Sequence, residues 1–168
     1  MGPRKAAVAS DGRVFLCDAS TNNAGIYLMN PETFDISSIF TGATNSNGSL
    51  MIGGKYVCGQ ITAVGIRGEG ATTQLYAIDK TASASSWKKF INVYNIGESN
   101  TWTTAPNESK AASSYVGNDN SSIVPVSTGY WAAQYRGGGS NSPANPCMFY
   151  YSDQYQDAVF NTAEPTRP

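Results

Sequence analysis

The stretch from Ile61 to Asp79 constrains the fold of this chain more than any other. Two apolar runs, Ile61 to Ile66 and Leu75 to Ile78, flank the polar, glycine-rich loop Arg67-Gly-Glu-Gly. That is the pattern of a β-hairpin. Side chains alternate between faces along a strand, so a sheet with one wet face alternates apolar and polar residues. These arms are largely apolar on both faces. Ile61, Ala63 and Gly65 alternate with Thr62, Val64 and Ile66, and Leu75 and Ala77 alternate with Tyr76 and Ile78. A sheet built from them has to be covered on both sides.

The hairpin pattern recurs. A first unit, about 6–42, reads as strands at Ala6–Ala9, Arg13–Asp18, Gly25–Asn30 and Phe34–Phe40. Asp11-Gly12 turns the first pair, and Pro31, which cannot donate to a ladder, stops the third strand. A second unit, about 49–97, reads as Leu50–Ile52, a Gly53-Gly54 turn, Lys55–Ile66 with a bulge or break at Gly59, Thr73–Asp79 and Trp87–Ile96. Residues 98–120 have no period and read as a long loop that carries Trp102. A third unit, about 121–163, reads as Ser122–Val126, a Thr128-Gly129 turn, Tyr130–Tyr135, Cys147–Asp153 and Asp157–Thr162.

Set side by side, Asp11-Gly12, Gly53-Gly54 and Thr128-Gly129 take the same place between first and second strands. Ile26–Asn30, Leu75–Asp79 and Phe149–Asp153 match as third strands, each ending in Asn or Asp. Repeated four-stranded units that are apolar on both faces suit the blades of a β-propeller, where each sheet packs between two neighbours. The expected fold is therefore all-β: about three four-stranded antiparallel blades in one segment, 1–168. Propellers usually take about four to eight blades, so three make an incomplete one. The expected partners are then further blades of a parent chain, or copies of the same chain. A β-sandwich made from the same strands is the structural alternative.

The aromatic-rich strands ending in Asp or Asn resemble blades of the broad NHL or YVTN-like group, in particular propeller domains of gut-bacterial surface lipoproteins. The resemblance spans most of the chain. It implies a propeller fold and an extracytoplasmic or cell-surface location within a longer exported protein. It carries no catalytic residues.

Composition narrows the function classes. Charged residues are 14% of the 168, against about 25% in an average soluble domain. The net charge is −1 with no charge run of note, whereas a nucleic-acid binder normally shows a basic face, which argues against that class. There is no histidine, so Ser-His-Asp and Cys-His catalysis and the usual Cys/His zinc site cannot be built. The three cysteines, Cys17, Cys58 and Cys147, sit in apolar contexts where a thiol behaves as a small hydrophobe. No apolar run approaches the roughly 20 residues of a membrane helix. No cofactor and no metal is expected.

The unusual loops supply the candidate site. Arg67-Gly-Glu-Gly and Arg136-Gly-Gly-Gly are expected at equivalent places after second strands. There Arg67 and Arg136 would point to a common axis and hold a carboxylate, a phosphate or an acidic sugar. The blander reading pairs each arginine with an Asp or a carbonyl of the next blade. Glu69 is the carboxylate of that loop. Trp102, Trp131 and Tyr135, beside Tyr130, are candidates for stacking on a sugar, with blade packing as the alternative. The expectation is a non-enzymatic binding or scaffold segment with a glycan or protein ligand. Its rival is part of a polysaccharide lyase or glycosidase, which needs paired carboxylates.

Overall fold

Apolar alternation and turn chemistry fold the chain into antiparallel meanders, each strand pairing with the next. The computed structural model describes residues 5–19, 25–41, 50–52, 55–57, 61–80, 89–99, 106–112, 122–135 and 146–153. The first sheet joins β1 (Lys5–Val8), β2 (Val14–Asp18), β3 (Gly25–Met29) and β4 (Ile36–Thr41) in that order. A separate two-stranded ribbon pairs β5 (Leu50–Ile52) with β6 (Lys55–Val57). The second sheet joins β7 (Ile61–Arg67), β8 (Gln74–Lys80), β9 (Lys89–Asn95) and β10 (Glu108–Ala112). The third joins β11 (Ser122–Val126), β12 (Gly129–Tyr135) and β13 (Pro146–Ser152). The protein is all-β, and among the described residues its small antiparallel sheets do not close on themselves.

The sheets stack in three layers with the second in the middle. One core holds Phe15, Cys17 and Ile26 of the first sheet against Val64, Leu75, Ala77 and Tyr94 of the second. The other core holds Tyr76, Ile78, Ile91 and Val93, on the opposite face of the second sheet, against Ile123, Tyr130, Ala132 and Tyr151 of the third. The front of a sheet is defined as the face on the side of the next sheet in chain order, and the back as the opposite face. The first sheet packs its front on the back of the second, and the second its front on the back of the third. The two-sided apolar pattern of Ile61 to Asp79 follows from this, because its strands are covered on both faces.

The first strands make the closest approach, β7 contacting both β1 and β11. Gly65 permits it. A Cβ there would stand 2.6 Å from Cδ of Pro125 and 2.8 Å from the Ile123 carbonyl oxygen. Pro125 is tolerated because β11 pairs only with β12, so its missing N–H removes no ladder bond. Among the described residues, most of the largest fully buried side chains, including Tyr76, Tyr94, Leu75 and Ile91, belong to the second sheet. Burying each such side chain favours the fold by about 1.5–3 kcal/mol, and the second sheet takes part in both cores.

Three expectations need correction. The second four-stranded sheet is built from 61–112, not from about 49–97, and the stretch read as a loop supplies β10. Leu50–Ile52 and Lys55–Val57 pair only with each other and do not begin the second four-stranded sheet, while Gly53-Gly54 lies outside the described residues. Leu75–Asp79 lies in a second strand, and its counterpart is Val14–Asp18 rather than β3. The physical reason is shared. β10, Glu108-Ser-Lys-Ala-Ala, is the outermost strand and pairs on one side only, so it lacks the apolar signature that marks inner strands. The β5–β6 ribbon has that signature without belonging to a stacked sheet. A two-layer sandwich does not describe the stack. The fourth strand expected at Asp157–Thr162 lies outside the described residues.

Candidate functional site

The turn after β1 brings Arg13 back over its own sheet and across to the next. Its guanidinium carbon lies 5.6 Å from the centre of the Phe15 ring. Nε donates to Oδ2 of Asp11 at 2.8 Å, Nη1 donates to the Ser99 carbonyl at 2.5 Å, and Nη2 donates to the Gly97 carbonyl. Asp11 is held below the usual carboxylate range, first by its side-chain hydrogen bond from Arg13. Gly97 and Ser99 follow β9, so this arginine ties the first sheet to the second.

Arg67, at the end of β7, repeats the arrangement one sheet further on. Its guanidinium carbon lies 5.1 Å from the centre of the Tyr76 ring. Nη1 donates to the Val126 carbonyl at 3.1 Å and to Oδ1 and Oδ2 of Asp153 at 2.9 and 2.8 Å. Nε and Nη2 donate to Oε1 of Gln74 at 3.2 and 2.8 Å. Tyr76 also donates its hydroxyl to Gln74, at 3.2 Å. Burial pushes the Tyr76 hydroxyl up to about 12, with Arg67 opposing the shift and Asp153 and Glu108 adding to it. A fork of five donors makes arginine suited to such a joint.

Beside this joint is an open cleft of about 500 Å³, lined by Arg67, Gly68, Ala71, Thr72, Thr73, Gln74, Asn95 and Ser127. A single 3-10 turn, Gly70–Thr72, shapes one wall. The Thr72 hydroxyl donates to the Glu69 carbonyl and the Thr73 hydroxyl to the Gly70 carbonyl, each at 2.8 Å. The lining also holds a pair of side-chain amides, in which Gln74 Nε2 donates to Asn95 Oδ1 at 2.9 Å. Exposed Glu69 sits in the same loop. The chemistry on offer is polar and largely neutral. It suits hydrogen bonds to hydroxyl-rich or peptide-like groups, because the charge of Arg67 is already matched by Asp153.

Among the described residues, the expected ones do not share one site. Arg67 and Glu69 share the loop between β7 and β8. Trp131 lies on the open front of the third sheet, where its ring meets Tyr150 at 5.1 Å and 47°. Tyr135 ends β12, and Arg136 and Trp102 lie outside the described residues. The two Arg-Gly loops are not equivalent: one follows a first strand and the other follows β12, a second strand. Arg67 reaches the Val126 end of the third sheet, while Tyr135, just before Arg136, ends β12 roughly 20 Å away along its strand. The alternative reading of Arg67, a joint to an Asp and a carbonyl of the next sheet, is what the structure shows. Asp79 is not a strand-ending turn residue either. It is fully buried within β8 and accepts from Asn92 Nδ2 at 3.1 Å.

Sequence reasoning missed Arg13 and Asp153 as partners in these joints. A signal existed, since Arg13 stands two residues before Phe15 and so on the same strand face. Comparison with protein-family models, curated proteins and solved structures returns no match. No helix among the described residues is long and apolar enough to cross a membrane.

Proposed function

We propose that the chain is a segment of an incomplete β-propeller, its stacked sheets serving as blades, and that it acts as a non-enzymatic binding or scaffold module. The setting that suits it is the surface of a bacterial cell, within an exported protein. The observation that carries the reading is the inter-sheet joint made twice, by Arg13 and by Arg67, each over the aromatic of its second strand. Arg13 and Arg67, the arginines among the described residues, are both engaged in joining sheets. The cleft beside Arg67 keeps a neutral, amide- and hydroxyl-lined wall, which fits a glycan or an extended peptide held by hydrogen bonds.

The test measures binding and turnover together. Immobilised protein is offered a panel of polysaccharides and extended peptides, with retention and release of reducing ends followed in parallel. The proposal expects retention that is lost in Ser127→Tyr, which fills the cleft from an exposed turn, and no product. Product release from any polysaccharide, or retention indifferent to Ser127→Tyr, overturns it.

A further inference from the structure

Six large apolar side chains among the described residues are between 40% and 70% exposed: Val8, Phe34, Ile36, Val124, Trp131 and Tyr150. All belong to the first and third sheets or their turns, and none to the second. On the third sheet, Val124, Trp131 and Tyr150 are direct cross-strand partners and form one row of the front. On the first sheet, Val8, Val14, Met29 and Ile36 are direct partners and form one row of the back.

Register shows what these rows correspond to. With Val14, Leu75 and Tyr130 as matching positions of the second strands, the back rows are Val8–Val14–Met29, Ile66–Leu75–Tyr94 and Pro125–Tyr130–Tyr151. The front rows, one residue on, are Ala7–Phe15–Leu28, Gly65–Tyr76–Val93 and Val124–Trp131–Tyr150. The first front row packs on the second back row, and the second front row on the third back row. One front row and one back row are left over, and they are the exposed ones.

We propose that these two rows are the halves of a third front-to-back contact, made between two copies of the chain. The contact is heterologous, and a pair of copies related by a two-fold axis makes it twice, giving a closed ring of six sheets. That count lies within the range of propellers. The inference rests on the stacked-blade reading above, not on any ligand.

The turns fit the same scheme. In the joints within the chain, an arginine after the first strand reaches the segment after the third strand of the next sheet. The third sheet has Ser127-Thr128 at that place instead. The Thr128 hydroxyl meets the Tyr150 hydroxyl at 2.8 Å, and the Thr128 carbonyl accepts from it at 3.0 Å. The matching turn of the first sheet, between β3 and β4, presents exposed Phe34 in the left-handed region at φ 61°. An aromatic contact from the second copy takes the place of the polar joint. Further along the back of the first sheet, Leu16 and Tyr27 are buried within the chain, so docking is confined to the row beside the turn.

The test is sedimentation equilibrium of the intact chain and two variants, each checked for native circular dichroism. The wild type should have twice the 17.8 kDa chain mass. Trp131→Glu and Val8→Glu should each weaken association by about 100-fold, the scale of a buried aromatic anchor. An equimolar mixture of the two should form a one-to-one pair held by the single contact in which an intact front meets an intact back, tighter than either variant with itself and weaker than the wild type. A monomeric wild type, a Trp131→Glu variant that still dimerises, or a mixture that stays monomeric overturns the inference. Retention in the cleft is read separately by Ser127→Tyr, so either reading can fail alone.

Discussion

Replacing Gly65 by alanine tests the stacking of sheets at its tightest point. The added Cβ would lie 2.6 Å from Pro125 Cδ and 2.8 Å from the Ile123 carbonyl oxygen. Neither neighbour is the end of a flexible side chain, so β7 and β11 have to separate. Separation loosens the contact of Tyr76 with Tyr130, whose rings lie 5.4 Å apart, and the second core behind it. Overpacking of this kind costs about 1–3 kcal/mol. Alanine recovers about 0.4–1 kcal/mol by restricting the unfolded chain. The net expectation is a loss of about 1–2 kcal/mol, seen as a lower urea midpoint at unchanged slope and a melting temperature lower by about 3–6 °C. A Gly65→Ala variant as stable as the parent would refute the close approach of the first strands, and with it the stack.

Three further expectations follow from the joints and turns. Arg67→Ala should destabilise by about 1 kcal/mol in chemical denaturation, because the pair with Asp153 is partly exposed, and Arg67→Lys should recover little since it lacks the fork. Tyr76 favours its neutral form when folded, so its contribution is fully present below the ordinary tyrosine range near pH 10 and is lost as pH rises from there to about 12. Tyr76→Phe should remove that step from a stability-against-pH curve, and an unchanged step would assign it elsewhere. Phe34→Asn should gain up to about 1 kcal/mol by relieving the left-handed backbone while weakening self-association, a split that a purely structural role for Phe34 does not produce.

The sequence made the all-β character legible, because inner strands such as Leu75–Ile78 are apolar on both faces and only a stacked sheet requires that. It also made the Asp11-Gly12 turn legible, and the turn expected at Thr128-Gly129 to within one residue, since turn chemistry is local and Gly129 itself opens β12. The boundary of the second sheet was not. Two short apolar strands at 50–57 imitate the start of a unit, and the polar strand β10 gives no local sign that it pairs with β9. That mistake of one hairpin moved the Arg67 loop to the wrong end of its sheet and made Arg67 look equivalent to Arg136. The exposed row Val124–Trp131–Tyr150 was half visible. Trp131 is an aromatic in a strand, but which face lies open depends on how many sheets follow, and strand periodicity does not count them.

Native-state hydrogen exchange tests the central claim most directly. In a three-layer stack the amides of β8 and β9 are paired on both sides and covered on both faces, so they exchange only by global unfolding. The account predicts that they are the slowest in the chain and share one opening free energy, with β1, β4 and β11 faster. Rapid exchange in β8, or protection no greater there than in the edge strands, would contradict it.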